Sequence, residues 1–215
     1  MVEAHRWAWK PKRVKLVLLA ESHVYTSQTD FATIYRLPSG VFAPNRYVRL
    51  IYCLAYGEKI LAPGLGGGTP QFWKIFGELA GTPTNQQYGG PADARLQSWI
   101  TTLRTLDKLG VWLLDSSLHG IYRGSAGRID GELTTALQKI WWDDYGRLLL
   151  EQTSPQRVIA VGKGVHDTLS RETDIKLDGW IYQPQGARHL DQIMRNREVL
   201  KGLRGWLLAD QTSGK

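Results

Sequence analysis

The residues VKLVLLAESHVYTS, which run from Val14 to Ser27, decide the fold prediction for this chain. They open with an apolar run, Val14 to Ala20, that only Lys15 interrupts. A short run rich in Leu and Val is typical of a strand buried on both faces, although periodicity alone leaves a buried helix open. A carboxylate, a hydroxyl, an imidazole and a phenol follow, and ligands in open α/β sheets bind just beyond the carboxyl ends of the strands. The stretch therefore predicts the floor of a functional site.

Length and composition limit the number of domains and the class of protein. The chain of 215 residues and 24.3 kDa can bury one good core, so we expect a single domain over residues 1–215. Residues 1–13 are expected to form a basic and aromatic N-terminal segment that presents its charge outward, and residues 208–215 a flexible tail. The single cysteine, Cys53, excludes an intramolecular disulfide and an all-cysteine cluster within one chain.

Hydropathy and charge limit the kinds of partner that the protein can bind. No apolar run is long enough to span a bilayer, and the N-terminus lacks the apolar core of a signal peptide. We therefore expect a cytoplasmic, monomeric protein that meets no membrane. The formal charge of +7 suits a polyanion such as DNA or RNA, which would associate the protein with the nucleoid, although solubility explains the charge equally well. Nine tryptophans serve the core first and can also stack on bases.

Beyond the opening stretch, strands alternate with helices. Helices are predicted over residues 46–57, 70–80, 92–109, 131–152 and 190–207, with a short helix after residue 162 and a loop over residues 26–44. Further strands are predicted over residues 111–115, 157–162 and 180–182. The alternation predicts a three-layer α/β/α sandwich around a central, mainly parallel four-stranded sheet. The stretch GLGGGTP lacks the lysine of a phosphate-binding loop, and no cluster has metal-ligand spacing, so we expect neither a cofactor nor a metal.

Three strand ends, taken together, resemble the uracil-DNA glycosylase superfamily. AESHV (20–24) stands where that superfamily has G-E-A-P-G or G-Q-D-P-Y, LLDSS (113–117) where it has an apolar strand ending in asparagine, and QPQGARH (183–189) where it has an H-P-S loop. The segment VIAVGKGVHDTL (158–169) also resembles its V-x-x-L-G-x-x-A segment. The resemblance covers residues 14–207 and rests on order and context, because each motif departs from the pattern. It implies a uracil-DNA glycosylase-like fold and a base-excision enzyme.

Such an enzyme flips a nucleotide out of double-stranded DNA and hydrolyses the bond between base and deoxyribose. Glu21 stands where one branch has its catalytic acid, and a carboxylate there can stabilise an oxocarbenium ion or activate a water. A strand-end carboxylate held by the backbone or an arginine is the alternative. His23 replaces the motif proline and is either a second acid–base group, a sugar-phosphate contact or a structural hydrogen-bonding residue. Val24 replaces a tyrosine of the uracil-specific branch and leaves room beside carbon 5 of the base.

The resemblance places base recognition on the other two motifs. Asp115 stands where the superfamily has its base-reading asparagine; an ionised carboxylate only accepts hydrogen bonds, so it favours the amino edge of a cytosine-derived base over uracil. Hypoxanthine remains an alternative for the excised base, and capping of the following turn remains an alternative role for Asp115. Gln183 replaces a histidine that polarises a carbonyl of the departing base, and its amide donates a hydrogen bond without a positive charge. Tyr25, Phe72 and Trp73 are candidates to stack on the base.

The predicted DNA contacts lie in two turns. They are Lys163, Gln185, Gly186, Ala187 and Arg188, of which Arg188 can bind phosphate or stack. The chain is therefore expected to be a DNA glycosylase for a modified or deaminated base, preferentially a cytosine-derived one, in repair or in defence against modified foreign DNA. A uracil or hypoxanthine glycosylase and a non-catalytic DNA-binding relative are the alternatives.

Overall fold

The computed structural model describes residues 1–65, 67–68, 70–82, 90–122, 130–183 and 189–212. Its centre is one sheet of strands β1 (Leu16–Ala20), β2 (Val111–Asp115), β3 (Arg157–Val161) and β4 (Gly179–Ile181). The strand order is β2-β1-β3-β4, and all neighbouring pairs are parallel. The predicted parallel four-stranded sheet is confirmed, with β1 starting two residues later than expected.

Strand β1 lies between two neighbours and is buried along its whole length. Leu16 pairs with Val111 on one side and with Arg157 on the other, and Ala20 pairs with Asp115. A strand covered on both faces needs apolar side chains in both directions, which explains its unbroken apolar run. The register also brings the ends of β1 and β2 to the same level of the sheet.

Helices cover both faces of the sheet. They are α1 (Val2–Ala8), α2 (Gln28–Phe31), α3 (Pro70–Ala80), α4 (Ala92–Leu109), α5 (Gly131–Trp141), α6 (Arg147–Thr153), α7 (Lys163–Glu172) and α8 (Leu190–Thr212), and a π-helical turn, Trp142–Gly146, joins α5 to α6. Helices α3, α4 and α8 contact one another, whereas α5 contacts α7. The two groups of helices and the sheet between them form the predicted three-layer α/β/α architecture. Within the described ranges, no helix is both long and apolar enough to cross a bilayer.

Local chemistry sets where several elements begin and end. The side chain of Asp130 caps α5 by accepting hydrogen bonds from the backbone N–H groups of Glu132 (2.8 Å) and Leu133 (3.3 Å). Gly110 ends α4 with a left-handed φ of 79°. A Cβ atom there would lie 2.7 Å from the carbonyl oxygen of Arg13, so only glycine lets the chain pass from α4 into β2.

The predicted helix over residues 46–57 is wrong. The segment forms a series of turns, in which the N–H of Cys53 bonds the carbonyl of Leu50 and the N–H of Tyr56 bonds that of Cys53. Its apolar residues have helical spacing, but residues 50–56 are all buried. The spacing of apolar residues therefore reports burial here and not one face of a helix, so it does not distinguish a helix from packed turns.

The chain ends also differ from the expectation. Residues 1–13 contain α1, and Arg6 points inward with 2% of its surface exposed, so the segment does not present all of its charge to solvent. Helix α8 continues to Thr212, so residues 208–212 are helical rather than part of a tail. Residues 213–215 lie outside the described residues. An ion pair of 2.6 Å between Lys15 and Asp210 joins α8 to the start of β1.

Candidate active site

A pocket of about 300 Å³ lies at the carboxyl edge of the sheet. Its lining includes residues that follow β1, the end of β2, Gln183 after β4, and part of the segment over residues 49–72. From β1 the chain first forms β2 on one side and then β3 on the other. Such a reversal of strand order opens a crevice at the carboxyl ends of the strands, where ligands bind in open α/β sheets.

A histidine and an aspartate meet in this pocket. The Nδ1 atom of His23 lies 3.1 Å from Oδ2 of Asp115, and both residues line the cavity. Asp115 is the last residue of β2 and pairs with Ala20, so the turn after β1 carries His23 over the end of the neighbouring strand. The side chain of Asp115 is only 4% exposed.

A buried arginine compensates the charge of this aspartate. The Nη2 atom of Arg6 donates to Oδ2 of Asp115 over 2.6 Å, and Arg6 also pairs with Glu3. Tyr145 donates in turn to Glu3 over 3.2 Å. The indole N–H of Trp112 bonds the carbonyl of Arg6 (3.1 Å) and so fastens α1 to β2. Charges of alternating sign therefore extend from the N-terminal helix to the pocket.

These contacts fix the protonation state of Asp115. Burial acts to raise the pKa of Asp115, but the guanidinium of Arg6 and the hydrogen bond from His23 outweigh it and hold that pKa below its ordinary value. The carboxylate is therefore ionised at neutral pH and can only accept. It follows that Nδ1 of His23 donates to Asp115, and in the neutral imidazole Nε2 is left with the lone pair of a base.

Glu21 lies beside the pocket and reaches it through a tyrosine. The hydroxyl of Tyr122 donates to Oε2 of Glu21, which is 7% exposed, and Ser116 donates to the carbonyl of Glu21 over 3.2 Å. Among the described residues, Tyr122 belongs to the lining of the pocket and Glu21 does not. The phenol donates its single O–H to the carboxylate, so toward a ligand its oxygen acts as a hydrogen-bond acceptor.

The loops after β1 and β2 are held against each other. The backbone N–H of Tyr25 bonds the carbonyl of Tyr122 (2.8 Å), and the N–H of Ile121 bonds the hydroxyl of Ser22 (3.2 Å). A Cβ atom on Gly120 would lie 2.7 Å from the backbone nitrogen of Tyr25. Glycine at this position therefore permits the close contact that brings Tyr122 into the site.

Arg49 is fixed in the wall of the pocket. Its backbone N–H bonds the hydroxyl of Thr26 (2.8 Å), and its carbonyl accepts from the N–H of Val24 (3.3 Å). Its Nε and Nη2 atoms both donate to Oδ2 of Asp30, over 3.0 and 2.7 Å. The side chain of Ser27 caps α2, which carries Asp30. The turn after β1 and α2 thus hold both the backbone and the guanidinium of Arg49.

The other predicted base-recognition residues separate into two groups. Val24 and Gln183 line the pocket, and so does Phe72, one of the three stacking candidates. Tyr25 is 52% exposed and is not among the described lining residues. Trp73 is buried and stacks on Trp99 with ring centroids 4.7 Å apart, so its ring is used in the core.

The predicted DNA contacts are only partly described. Lys163 is exposed in the first turn of α7 and forms an ion pair with Asp167. Gln185, Gly186, Ala187 and Arg188 lie outside the described residues. Gln183, just before them, approaches Gly162, where a Cβ atom would lie 3.4 Å from its Cγ.

Sequence reasoning missed three residues of the site. Arg6 lies far from the motifs, and Arg49 falls in the segment that was misassigned as a helix. The sequence could have indicated Tyr122, because this residue follows the second strand at the edge where the site was expected. Its backbone forms a parallel bridge with Val24, a contact that neither residue's neighbours in sequence indicate.

Comparisons with family models, with curated proteins and with solved structures found no match to this chain. Among the described residues, no group of three or more His, Cys, Asp or Glu side chains is placed to hold a metal ion. The chemistry of the site is therefore inferred from its own residues: an oriented imidazole, a phenol held by a carboxylate, an amide and a guanidinium around one cavity.

Proposed function

We propose that the protein is a monofunctional DNA glycosylase that excises a modified or deaminated base from double-stranded DNA. The observation that carries the proposal is the pair of His23 and ionised Asp115 in a pocket at the carboxyl edge of the sheet. The motifs AESHV and LLDSS, which resemble those of the uracil-DNA glycosylase superfamily, stand at the ends of β1 and β2, and Gln183, the first residue of the similar motif QPQGARH, lines the pocket. A cavity of about 300 Å³ is large enough for a small ligand.

In the proposed reaction, His23 is the general base. The bond between C1′ and the base nitrogen breaks, and the electron pair leaves with the base. Water adds to the resulting sugar cation and gives a proton to Nε2 of His23, while Asp115 stabilises the imidazolium that forms. A positioned acid–base group of this kind contributes about 10²–10⁴-fold to the rate.

Glu21 and Tyr122 support the same step. The hydroxyl of Tyr122 donates to Glu21, so its oxygen can accept a hydrogen bond from the attacking water. The carboxylate behind it favours the positive charge that develops on the sugar. Glu21 thus keeps its proposed catalytic importance, acting through a tyrosine rather than by direct contact.

The geometry favours an orienting role for Asp115 over reading the base. Its Oδ2 atom already accepts from Arg6 and from His23. Base contacts are then assigned to Gln183, through its amide, and to Phe72, as a stacking surface. The preference for a cytosine-derived base now depends on the small side chain of Val24, which leaves room for a substituent at carbon 5.

The test is a cleavage assay on duplexes that carry uracil, hypoxanthine, 5-hydroxymethylcytosine, its glucosylated form or plain cytosine. Cleavage is detected as alkali-labile abasic sites, and His23→Gln is the inactive variant. We expect at least one modified or deaminated base to be cut by the wild type, with at least about a hundredfold loss in His23→Gln. Salt-sensitive DNA binding without any cleavage would refute the proposal and favour the non-catalytic alternative.

A further inference from the structure

We infer that Arg49 is a catalytic residue of this pocket, whose guanidinium stabilises the negative charge that develops on the departing base. The inference rests on the proposed glycosylase function and adds a residue that no motif of the chain assigns. It concerns leaving-group stabilisation, a separate half of the reaction from the activation of water by His23.

The reaction needs such a group. When the bond to C1′ breaks, the electron pair stays on the base, and a preorganised donor or positive charge at that point lowers the barrier. The resemblance implies a histidine for this task, and Gln183 stands in its place. An amide donates a hydrogen bond but brings no charge, so its stabilisation of an anion is weaker than that of a charged donor.

Arg49 supplies the missing charge in the same cavity. It lines the pocket together with Gln183 and His23, and it is the only Lys or Arg among the described lining residues. Two other cations have different partners: Arg6 is buried against Asp115, and the exposed Lys163 pairs with Asp167 on α7.

The contacts of Arg49 with Asp30 use only part of its donor capacity. Nε and Nη2 bond one oxygen of Asp30, and a guanidinium has further N–H groups beyond the two that these bonds use. Asp30 is not among the described lining residues, so a ligand in the pocket meets the cation rather than its counter-ion. Because backbone and side chain are both held, the guanidinium needs little reorganisation when charge develops.

The step balances as a hydrolysis. The bond from C1′ to the base nitrogen breaks, and its electron pair goes to the base, to which Arg49 donates a hydrogen bond without losing its proton. Water forms the new bond to C1′ and passes one proton to Nε2 of His23. That proton, or one from solvent, then neutralises the base anion, and His23 returns to its starting state.

The test compares leaving groups of one shape and different acidity. The substrates are duplexes that carry the excised base of the wild type with either its ring C–H or an electron-withdrawing ring nitrogen at one position, which is carbon 6 of a pyrimidine or carbon 8 of hypoxanthine. The variants are Arg49→Gln and Arg49→Lys. The matched control is Arg171→Gln, an exposed arginine paired with Glu172 at the far end of α7. Single-turnover rates are measured with the protein in excess of the DNA and above the dissociation constant of the complex.

We expect Arg49→Gln to lower the rate by about 10²–10³-fold on the hydrogen-bearing base, as for other lost oxyanion donors. The loss should be clearly smaller on the aza base, which carries negative charge more easily. The rate of Arg49→Lys should lie between those of Arg49→Gln and the wild type. The rate of Arg171→Gln should match that of the wild type on both duplexes.

Other outcomes overturn the inference. An equal loss on both bases would mean that Arg49 only supports the pocket, and no loss would remove it from the reaction. A wild type that cuts no base would refute the proposed function and this inference together, which distinguishes the two failures. If Arg49→Gln proves unfolded by circular dichroism, Arg49→Lys decides: its losses must again differ between the two bases.

Discussion

The Nδ1 atom of His23 lies 3.1 Å from Oδ2 of Asp115, and this contact joins the turn after β1 to the last residue of β2. The site therefore depends on two neighbouring strands, because each strand positions one member of the pair. It also defines what the aspartate does, because an ionised carboxylate at this position selects the imidazole tautomer with a basic Nε2.

Asp115→Asn should therefore impair turnover more than DNA binding. An asparagine amide can place a donor against Nδ1 and so select the wrong tautomer, for which a loss of about 10³–10⁴-fold is expected. Single-turnover rates and the affinity for duplex, measured at several salt concentrations, separate the two effects. Asp143→Asn, on the exposed π-helical turn, is the control. A rate within twofold of the wild type would contradict the assigned role.

Arg6→Met should destabilise the fold. It removes the guanidinium that compensates Asp115 and leaves a buried carboxylate without its cation, at a cost of about 3–5 kcal/mol. Urea unfolding at neutral pH measures this loss, with the surface variant Arg104→Gln as control. The double variant with Asp115→Asn should lose less than the sum of the single variants, because the second change removes the uncompensated charge. Strict additivity would argue against the pair.

The stability contribution of Asp115 should disappear in acid. Its pKa in the folded protein is below the ordinary value of 3.8, so the contribution is fully present above that value. It is lost as the pH falls through the lower pKa of the folded state, because the native carboxylate must then take up a proton. The difference in unfolding free energy between wild type and Asp115→Asn should thus be constant near neutral pH and shrink below about pH 4. A difference independent of pH would show that Asp115 contributes no charge.

Glu21→Gln and Tyr122→Phe should slow the same step of the reaction. Glu21→Gln should lower the turnover at least about a hundredfold if the carboxylate takes part in the chemistry. Because Glu21 reaches the pocket through Tyr122, the double variant should be scarcely slower than the worse single variant. Single-turnover rates of the three variants are the measurement. Multiplicative losses would mean that the two residues act independently.

Sequence reasoning found those parts of the molecule that local pattern determines. The buried strand before Glu21 and the strand that ends at Asp115 both follow from apolar runs and from the polar residues that end them. Their order led to the parallel sheet and to an edge where the site would lie. His23 follows the first strand at that edge, Gln183 was selected from the resemblance of QPQGARH, and both line the pocket.

The remaining parts depend on contacts between distant residues. The turns around Cys53 have the apolar spacing of a helix, but residues 50–56 are all buried, so that spacing reports burial and does not reveal the backbone conformation. Nothing near Arg6 in sequence indicates a partner more than a hundred residues away. The role of Asp115 could not be deduced for the same reason, since the choice between reading a base and holding a histidine depends on what surrounds its oxygens.

The attachment of α1 to β2 makes the site sensitive to proteolysis. A protease that removed residues 1–8 would cut none of the strands of the sheet, and yet it would take away Arg6, the counter-ion of Asp115. The N-terminal helix thus lies outside the sheet and supplies a residue that the pocket requires. For expression and labelling, affinity tags and fluorophores therefore belong at the other end of the chain.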